Sequence, residues 1–351
     1  MKTQSESYSI RGLRLLVVGN MGGTNVGQSF RWAAESLGVI NHFCDASDAF
    51  GQSSLFQKIA WHCLGHRPLY INRFSKQVLA AARHFRPDLI LTTGFSPVNS
   101  GTLRAIGKAP RVVLANYLTD DPWNARLRAS WFFKSIIEYD AIFSPRTANL
   151  EDLRRLGCRN VKYLPFAYEP RFCNPGFFTS PLCIGSDVIF VGGGDDRRGR
   201  LLTFLCDAGV DLAIFGANWD RYPTLRAHLR GHSGPETICR ETVLAKVAIC
   251  LTNSGNRDQH VMRTFEIAAM RTAMVAEDTV EHRELLGDGA LYFSDASELI
   301  SSCKRLLADE SLRQRLAASC YTRIVQEGSN TYRDRLDFIL REHATIGTGK
   351  N

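Results

Sequence analysis

Short, wholly apolar runs alternate with helical stretches along nearly the whole chain. Leu15-Leu-Val-Val18 is apolar throughout and stops at Gly19. A run of this kind reads as a strand buried on both faces, as in a parallel sheet covered by helices. A glycine-rich turn, Gly19-Asn-Met-Gly-Gly-Thr24, follows. Phe30, Ala33, Ala34 and Leu37 then recur at helical spacing until Gly38 ends the pattern. Further strands are predicted at Val39–Phe43, Asp88–Thr92, Arg111–Ala115, Tyr139–Phe143 and Val161–Leu164. Helices are predicted over 76–85 and up to Gly157, and residues 51–74 read as irregular, aromatic and basic.

The rhythm breaks at 165–186, where Pro165, Pro170, Pro175, Gly176, Pro181 and Gly185 fall close together. That composition is typical of a linker. The rhythm then restarts. Asp187-Val-Ile-Phe-Val191 runs into Gly192-Gly-Gly194, Leu201, Leu202 and Leu205 mark a helix, and Asp211–Phe215 is the next strand. Strands at Lys246–Leu251 and Thr272–Ala276 flank a helix at 261–270. Leu299, Cys303, Leu306 and Leu307, then Leu312, Leu316, Cys320 and Ile324, keep helical spacing. The pattern specifies the α/β class with two Rossmann-like, doubly wound parallel domains facing a cleft, followed by C-terminal helices. The expected division is 1–165, a linker at 166–186, a second domain at 187–328, and a C-terminal helix at 329–351 packing back toward the first domain.

Composition narrows the class. With 44% hydrophobic and 22% charged residues, the chain is neither disordered nor low-complexity. Its 351 residues suit about two domains at roughly 150 residues each. A net charge of +8 favours acidic partners without choosing among nucleic acid, anionic lipid and phosphorylated small molecules. The basic residues are dispersed and no recognition motif appears, so no nucleic-acid partner is expected. The 10 cysteines include no CxxC pair, which reads as buried reduced thiols rather than a metal or redox site. Met1–Arg11 is polar and lacks the apolar core of a signal peptide, and no run approaches the ~18 apolar residues of a spanning helix. A cytoplasmic protein is expected.

Ligands in such sheets bind beyond the carboxyl ends of the strands. The first glycine turn carries Gly19, Gly22, Gly23 and Gly27 rather than GxGxxG. It fits a tight strand-to-helix turn, an acceptor-side loop at Gly22 and Gly23, or, more weakly, a dinucleotide site with Asp45 on the ribose. In the second turn, Gly192 and Gly193 permit close backbone approach, and Arg198 either meets a phosphate or lies on a solvated helix face. Asn253–Asp258 is a polar loop before the helix at 261–270, so amides near His260, Val261 and Met262 form an anion site. Arg263 lies one turn inside, and Glu266 can hold vicinal hydroxyls. The alternative is a plain i, i+3 ion pair. Asp120 and Asp121, after the strand at 111–115, offer a general base or a turn cap before Pro122. Aromatic and basic residues at 55–76, among them Leu55, Phe56, Lys58, Trp61 and His62, suit an anionic membrane surface, a lipid-linked acceptor or ordinary core packing.

The stretch Asn256-Arg-Asp-Gln-His260, Arg263-Thr-Phe-Glu-Ile267 and Ala276-Glu-Asp-Thr-Val-Glu-His282 resembles the CgeB-like glycosyltransferases, a family named for a spore maturation protein and related to the group 1 glycosyltransferases of GT-B fold. Phe190-Val-Gly192 with Arg198, Phe215-Gly216 with Trp219, Asp121-Pro-Trp123 and Leu164-Pro165 extend the resemblance. It implies a nucleotide-sugar donor on the second domain, with no separate cofactor and no metal. Glu266 matches the second acid of a Glu, seven residues, Glu pattern and would hold the ribose; Asp258 stands at the first. Arg263 and the Val261 amide would meet the diphosphate, and Gly192, Gly193, Arg198, Asn256, His260 and Glu277 complete the donor set. The family's small Cys-Gly pair is replaced by Met270-Arg271. The implied activity is hexosyl transfer to an unidentified acceptor, such as a lipid-linked glycan or a protein, with peripheral contact at the inner membrane face. A non-catalytic nucleotide-sugar-binding protein and an NAD-dependent oxidoreductase are the alternatives.

Overall fold

The computed structural model describes residues 12–51, 65–109, 112–177 and 185–348. Leu55, Phe56, Lys58, Trp61 and His62 of the aromatic-basic stretch lie outside the described residues, as do Met1–Arg11, Arg111 and linker positions 178–184. The chain divides into two compact units. Unit 1 runs to Pro165 and includes Ser254–Arg257 and the chain from Tyr332 onward. Unit 2 holds Phe166–Asn253 and Asp258–Thr331.

In unit 1 the strands are β1 (Arg14–Gly19), β2 (Ile40–Asp45), β3 (Leu89–Thr93), β4 (Val113–Tyr117), β5 (Ala141–Ser144) and β6 (Val161–Tyr163). They form one parallel sheet in the order β2-β1-β3-β4-β5-β6. Leu15–Val18 are fully buried, as a strand covered on both faces must be. The connecting helices are α1 (Val26–Ser36), α2 (Ile71–Phe85), α3 (Ser100–Gly107), α4 (Ser130–Ile136) and α5 (Thr147–Arg155). α2 begins five residues before the predicted start at 76. Its N-cap, Tyr70, makes no side-chain capping bond, so no polar signal marks the start; burial of Ile71 and Phe74 holds that turn instead. Phe30 of α1 meets Tyr117 and Tyr332 edge-on, at 5.2 and 5.5 Å between ring centres.

In unit 2 the strands are β7 (Val188–Val191), β8 (Leu212–Phe215), β9 (Leu229–Gly231), β10 (Val247–Cys250), β11 (Ala273–Glu277) and β12 (Ala290–Phe293). Their order is β12-β11-β10-β7-β8-β9, again all parallel. β9 and β12 are edge strands that the sequence pattern did not announce. The helices are α6 (Asp196–Asp207), α7 (Pro235–Leu244), α8 (Met262–Ala269), α9 (Val280–Leu286), α10 (Ala296–Ala308) and α11 (Glu310–Tyr321). Leu202, Leu205, Leu299, Cys303 and Leu306 pack against Val188, Phe190 and Ile249. Each fully buried leucine of this set contributes about 2 kcal/mol. The described part of the expected linker belongs to unit 2: Tyr168 pairs with Thr331 and donates its N–H to the Asn330 carbonyl at 3.1 Å. The last helix, α12 (Tyr332–Thr348), returns to unit 1 and buries Leu336, Ile339 and Leu340.

Candidate functional site

In unit 2 the strand order reverses between β7 and β10, so the crevice for a ligand opens at their carboxyl ends. The Gly192–Gly194 turn follows β7 and the 251–258 stretch follows β10. Arg198 ties the two together. Its terminal nitrogens donate to the carbonyls of Gly193 (3.1 Å), Leu251 (3.2 Å) and Thr252 (3.1 Å). Asp195 lies 3.4 Å from its Nε, close for charge but off the line of a hydrogen bond. Burial lowers the arginine's pKa against the pull of Asp195 and Asp258. Arg198 is therefore an internal strut of the crevice rather than a solvated residue. Glu277, at the end of β11, plays a parallel part. It accepts from the Thr252 amide (3.1 Å) and hydroxyl (2.7 Å) and pairs with Arg197. Burial raises its pKa, but these bonds outweigh it and the net direction is down.

The start of α8 is held from below. The Val261 N–H, which the sequence pattern offered to a diphosphate, donates to Thr264 Oγ1 at 3.1 Å. The hydroxyl lies 2.9 Å from His282 Nε2 and 3.5 Å from Cys250 Sγ. His260 is buried as well. Its Nδ1 lies 2.5 Å from Glu281, and its Nε2 accepts the Phe166 N–H at 3.2 Å. With both ring nitrogens engaged, His260 holds the Phe166 backbone rather than a ligand. Asp258 is buried and accepts the Asn253 N–H at 3.3 Å. Arg263 and Glu266 do pair, yet not on a solvated face: Glu266 is only 5% exposed. Its Oε2 faces Arg263, and Oε1 keeps its acceptor capacity among the described residues. Met270 is buried and Arg271 takes a left-handed φ of 57°, over the Tyr321 ring at 4.5 Å. A glycine would fit that backbone without strain.

Unit 1 brings Asn256 to Asp120 and Asn124. Asp121 is completely buried. It accepts from Trp123 N (2.9 Å), Asn149 Nδ2 (2.8 Å), and Arg257 Nε (2.6 Å) and Nη2 (3.1 Å). Three of these bonds fall on Oδ1 and one on Oδ2, so Asp121 is tied into the fold on both oxygens. The bond to Asp121 is the main reason that the Arg257 pKa is raised. Asp120 is half-buried and freer, accepting from Asn256 Nδ2 (3.2 Å) and Thr119 Oγ1 (3.0 Å). Gly22 and Gly23 adopt φ of 75° and 55° in an exposed turn. Asp45 accepts the amides of Met21 (3.4 Å) and Ser47 (3.0 Å), so it staples that turn. Among the described residues, no cluster of three or more His, Cys, Asp or Glu side chains is arranged to hold a metal ion. None of their helices is long and apolar enough to cross a membrane.

Known proteins share this architecture. Residues 197–341 match a family model described as glycosyl transferase-like. None of the curated proteins matches the chain significantly. A sucrose-phosphate synthase from Thermosynechococcus elongatus superposes with a TM-score of 0.67 at 12% identity, over 94% of this chain and 98% of its own. An α,α-trehalose-phosphate synthase (UDP-forming) from Burkholderia vietnamiensis gives 0.63 at 13%, over 94% and 100%. The fold is that of the GT-B glycosyltransferases. An α-glucosyltransferase solved with UDP and a 13-mer DNA shares it too, at 0.63 and 13% identity, over 93% and 99%. Within this GT-B chain, the side chains that sequence patterns did not single out are Thr252, Thr264, Glu281, His282 and Arg257. Each has a partner at least 18 residues away, and the locally visible signals were the helix-start bonds of Thr264 to the Val261 N–H (3.1 Å) and of Thr279 to the His282 N–H (3.0 Å).

Proposed function

We propose that this chain is a glycosyltransferase that takes a sugar from a nucleotide-diphosphate donor held by unit 2. The observation that carries the reading is the buried Glu266 beside Arg263 on the first turns of α8, inside the segment matching the glycosyl transferase-like model. The free oxygen of Glu266 accepts from the ribose hydroxyls. Arg263 and the positive end of α8 offset charge on the departing diphosphate, a role that in this reading calls for no metal ion. On unit 1, Asp120 is the general base for an acceptor hydroxyl, and Asp121 fixes the backbone beside it. The finer assignment is to the CgeB-like subfamily, as a cytoplasmic hexosyltransferase with a lipid-linked glycan or protein acceptor.

The first probe is UDP, the nucleotide named with two similar structures. Calorimetry should show saturable binding of UDP or another nucleoside diphosphate, and Glu266→Ala should weaken it on the order of 30-fold, the loss of about 2 kcal/mol in charge-assisted hydrogen bonds. Unchanged affinity would remove Glu266 from the donor site. Donor hydrolysis and transfer assays with the tightest-binding nucleotide-sugar separate an enzyme from a non-catalytic binder.

A further inference from the structure

We infer that His282 and Thr264 are positioning residues for the diphosphate, acting through one directed chain of hydrogen bonds from the end of β11 to the start of α8. The inference rests on the donor reading above and names a part of the site that neither motif nor family likeness assigned.

The direction of the chain follows from chemistry alone. The Glu277 carbonyl can only accept, and it lies 2.8 Å from His282 Nδ1. Nδ1 therefore carries the ring proton of a neutral imidazole, and Nε2 is left as an acceptor. The group 2.9 Å from Nε2 is the Thr264 hydroxyl, which must donate. That hydroxyl keeps its lone pairs for the Val261 N–H at 3.1 Å. Cys250 Sγ, 3.5 Å from the same oxygen, can supply a thiol proton to it. The middle of the chain of bonds is fully buried: His282, Thr264 and Cys250 are each 0% exposed.

The consequence concerns which amides face a ligand. A helix start leaves its first N–H groups unpaired by the helix, and an anion binds those that point outward. Here the Val261 amide is drawn inward to Thr264. This fixes the entry angle of the chain into α8 and with it the direction of the following turn, which carries Arg263. Burial holds His282 neutral. It pushes the imidazole down to about 4 against the bond to the Glu277 carbonyl and the charges of Glu277 and Glu281, with His260 adding to the downward shift. A protonated Nε2 could not accept from Thr264, so the chain of bonds would break at its middle.

The test uses the full chain and two ligands that differ by one phosphate, UDP and UMP. Thr264→Val keeps the shape and removes the hydroxyl; Thr264→Ser keeps the hydroxyl. Thr264→Val should weaken UDP about tenfold and UMP less than threefold, and Thr264→Ser should restore UDP to within about threefold of the unmodified chain. Nitrogen-15 spectra of the imidazoles should show a neutral His282 with its proton on Nδ1. UDP affinity indifferent to Thr264→Val, equal losses for UDP and UMP, or an Nε2-protonated His282 would each overturn the inference while leaving the donor reading in place. If neither UDP nor any other nucleoside diphosphate binds the unmodified chain, both fall together.

Discussion

Asp121 and Glu266 are both buried carboxylates beside an arginine, one in each unit, and their surroundings differ in one respect. Asp121 receives four hydrogen bonds and is 0% exposed; Glu266 receives a contact from Arg263 on one oxygen and keeps the other. A buried acid tied on both oxygens stabilises the fold and has little left to offer a substrate. An acid with capacity in hand costs stability unless something fills it. Arg198, whose terminal nitrogens meet three main-chain carbonyls, and His260, held between Glu281 and the Phe166 N–H, are tied into the fold in the same way as Asp121.

The comparison can be broken most directly at Asp121. Asp121→Ala strands Asn149 and leaves Arg257 with Asp152 alone, and should cost about 3 kcal/mol in urea titrations. A cost below about 1 kcal/mol would mean that the bonds there are not structural. Next in size is His282, another fully engaged group. Between the ordinary histidine value of about 6.5 and its buried value of about 4, the unfolded chain binds a proton that the folded chain refuses. Stability should therefore be full above about pH 6.5 and fall as pH drops toward 4, by up to about 3 kcal/mol. His282→Gln should flatten the profile, and an equal slope in that variant would assign the acid sensitivity elsewhere. Glu266→Gln should move stability by less than about 1 kcal/mol while weakening the nucleoside diphosphate by roughly tenfold, the reverse of the Asp121 pattern. The smallest effect is at Arg271. Arg271→Val puts a β-branched residue at a left-handed position and removes the contact with Tyr321, costing about 1 kcal/mol in melting experiments. Nucleotide affinity should not change; a large loss would show that this position reaches the donor site.

Much of the fold was legible because buried parallel strands leave a simple trace. Val188–Val191 and Leu212–Phe215 are apolar throughout and end at glycines, so their positions were predicted to within a residue. The strand read at Arg111–Ala115 was found two residues later, at Val113–Tyr117, where Asn116 and Tyr117 continue it despite their polar groups. β9 went unread because it is three residues long, lies at a sheet edge and shifts register against β8. The site was legible in part. Arg263 and Glu266 are one helical turn apart, so spacing alone joined them. Arg257 and Asp121 are 136 residues apart, and no local pattern joins them. The bonds of Arg198 were illegible for a related reason: its acceptors are main-chain carbonyls, which every residue carries and no sequence motif marks.

Unit 1 is assembled from three separate pieces of chain, and this has a consequence for biosynthesis. A ribosome delivers residues up to Pro165 first, but Arg257 and the aromatic and aliphatic side chains of α12 come much later. Until then Asp121 has no guanidinium and Phe30 lacks Tyr332. At ordinary elongation rates of roughly 5–20 residues per second, the nascent first sheet waits on the order of ten seconds or more for its last helix. Throughout that interval the face later covered by α12 is open to chaperones, while both segments of unit 2, Phe166–Asn253 and Asp258–Thr331, are being made. Completion of unit 1 is thereby tied to the synthesis of the chain through α12.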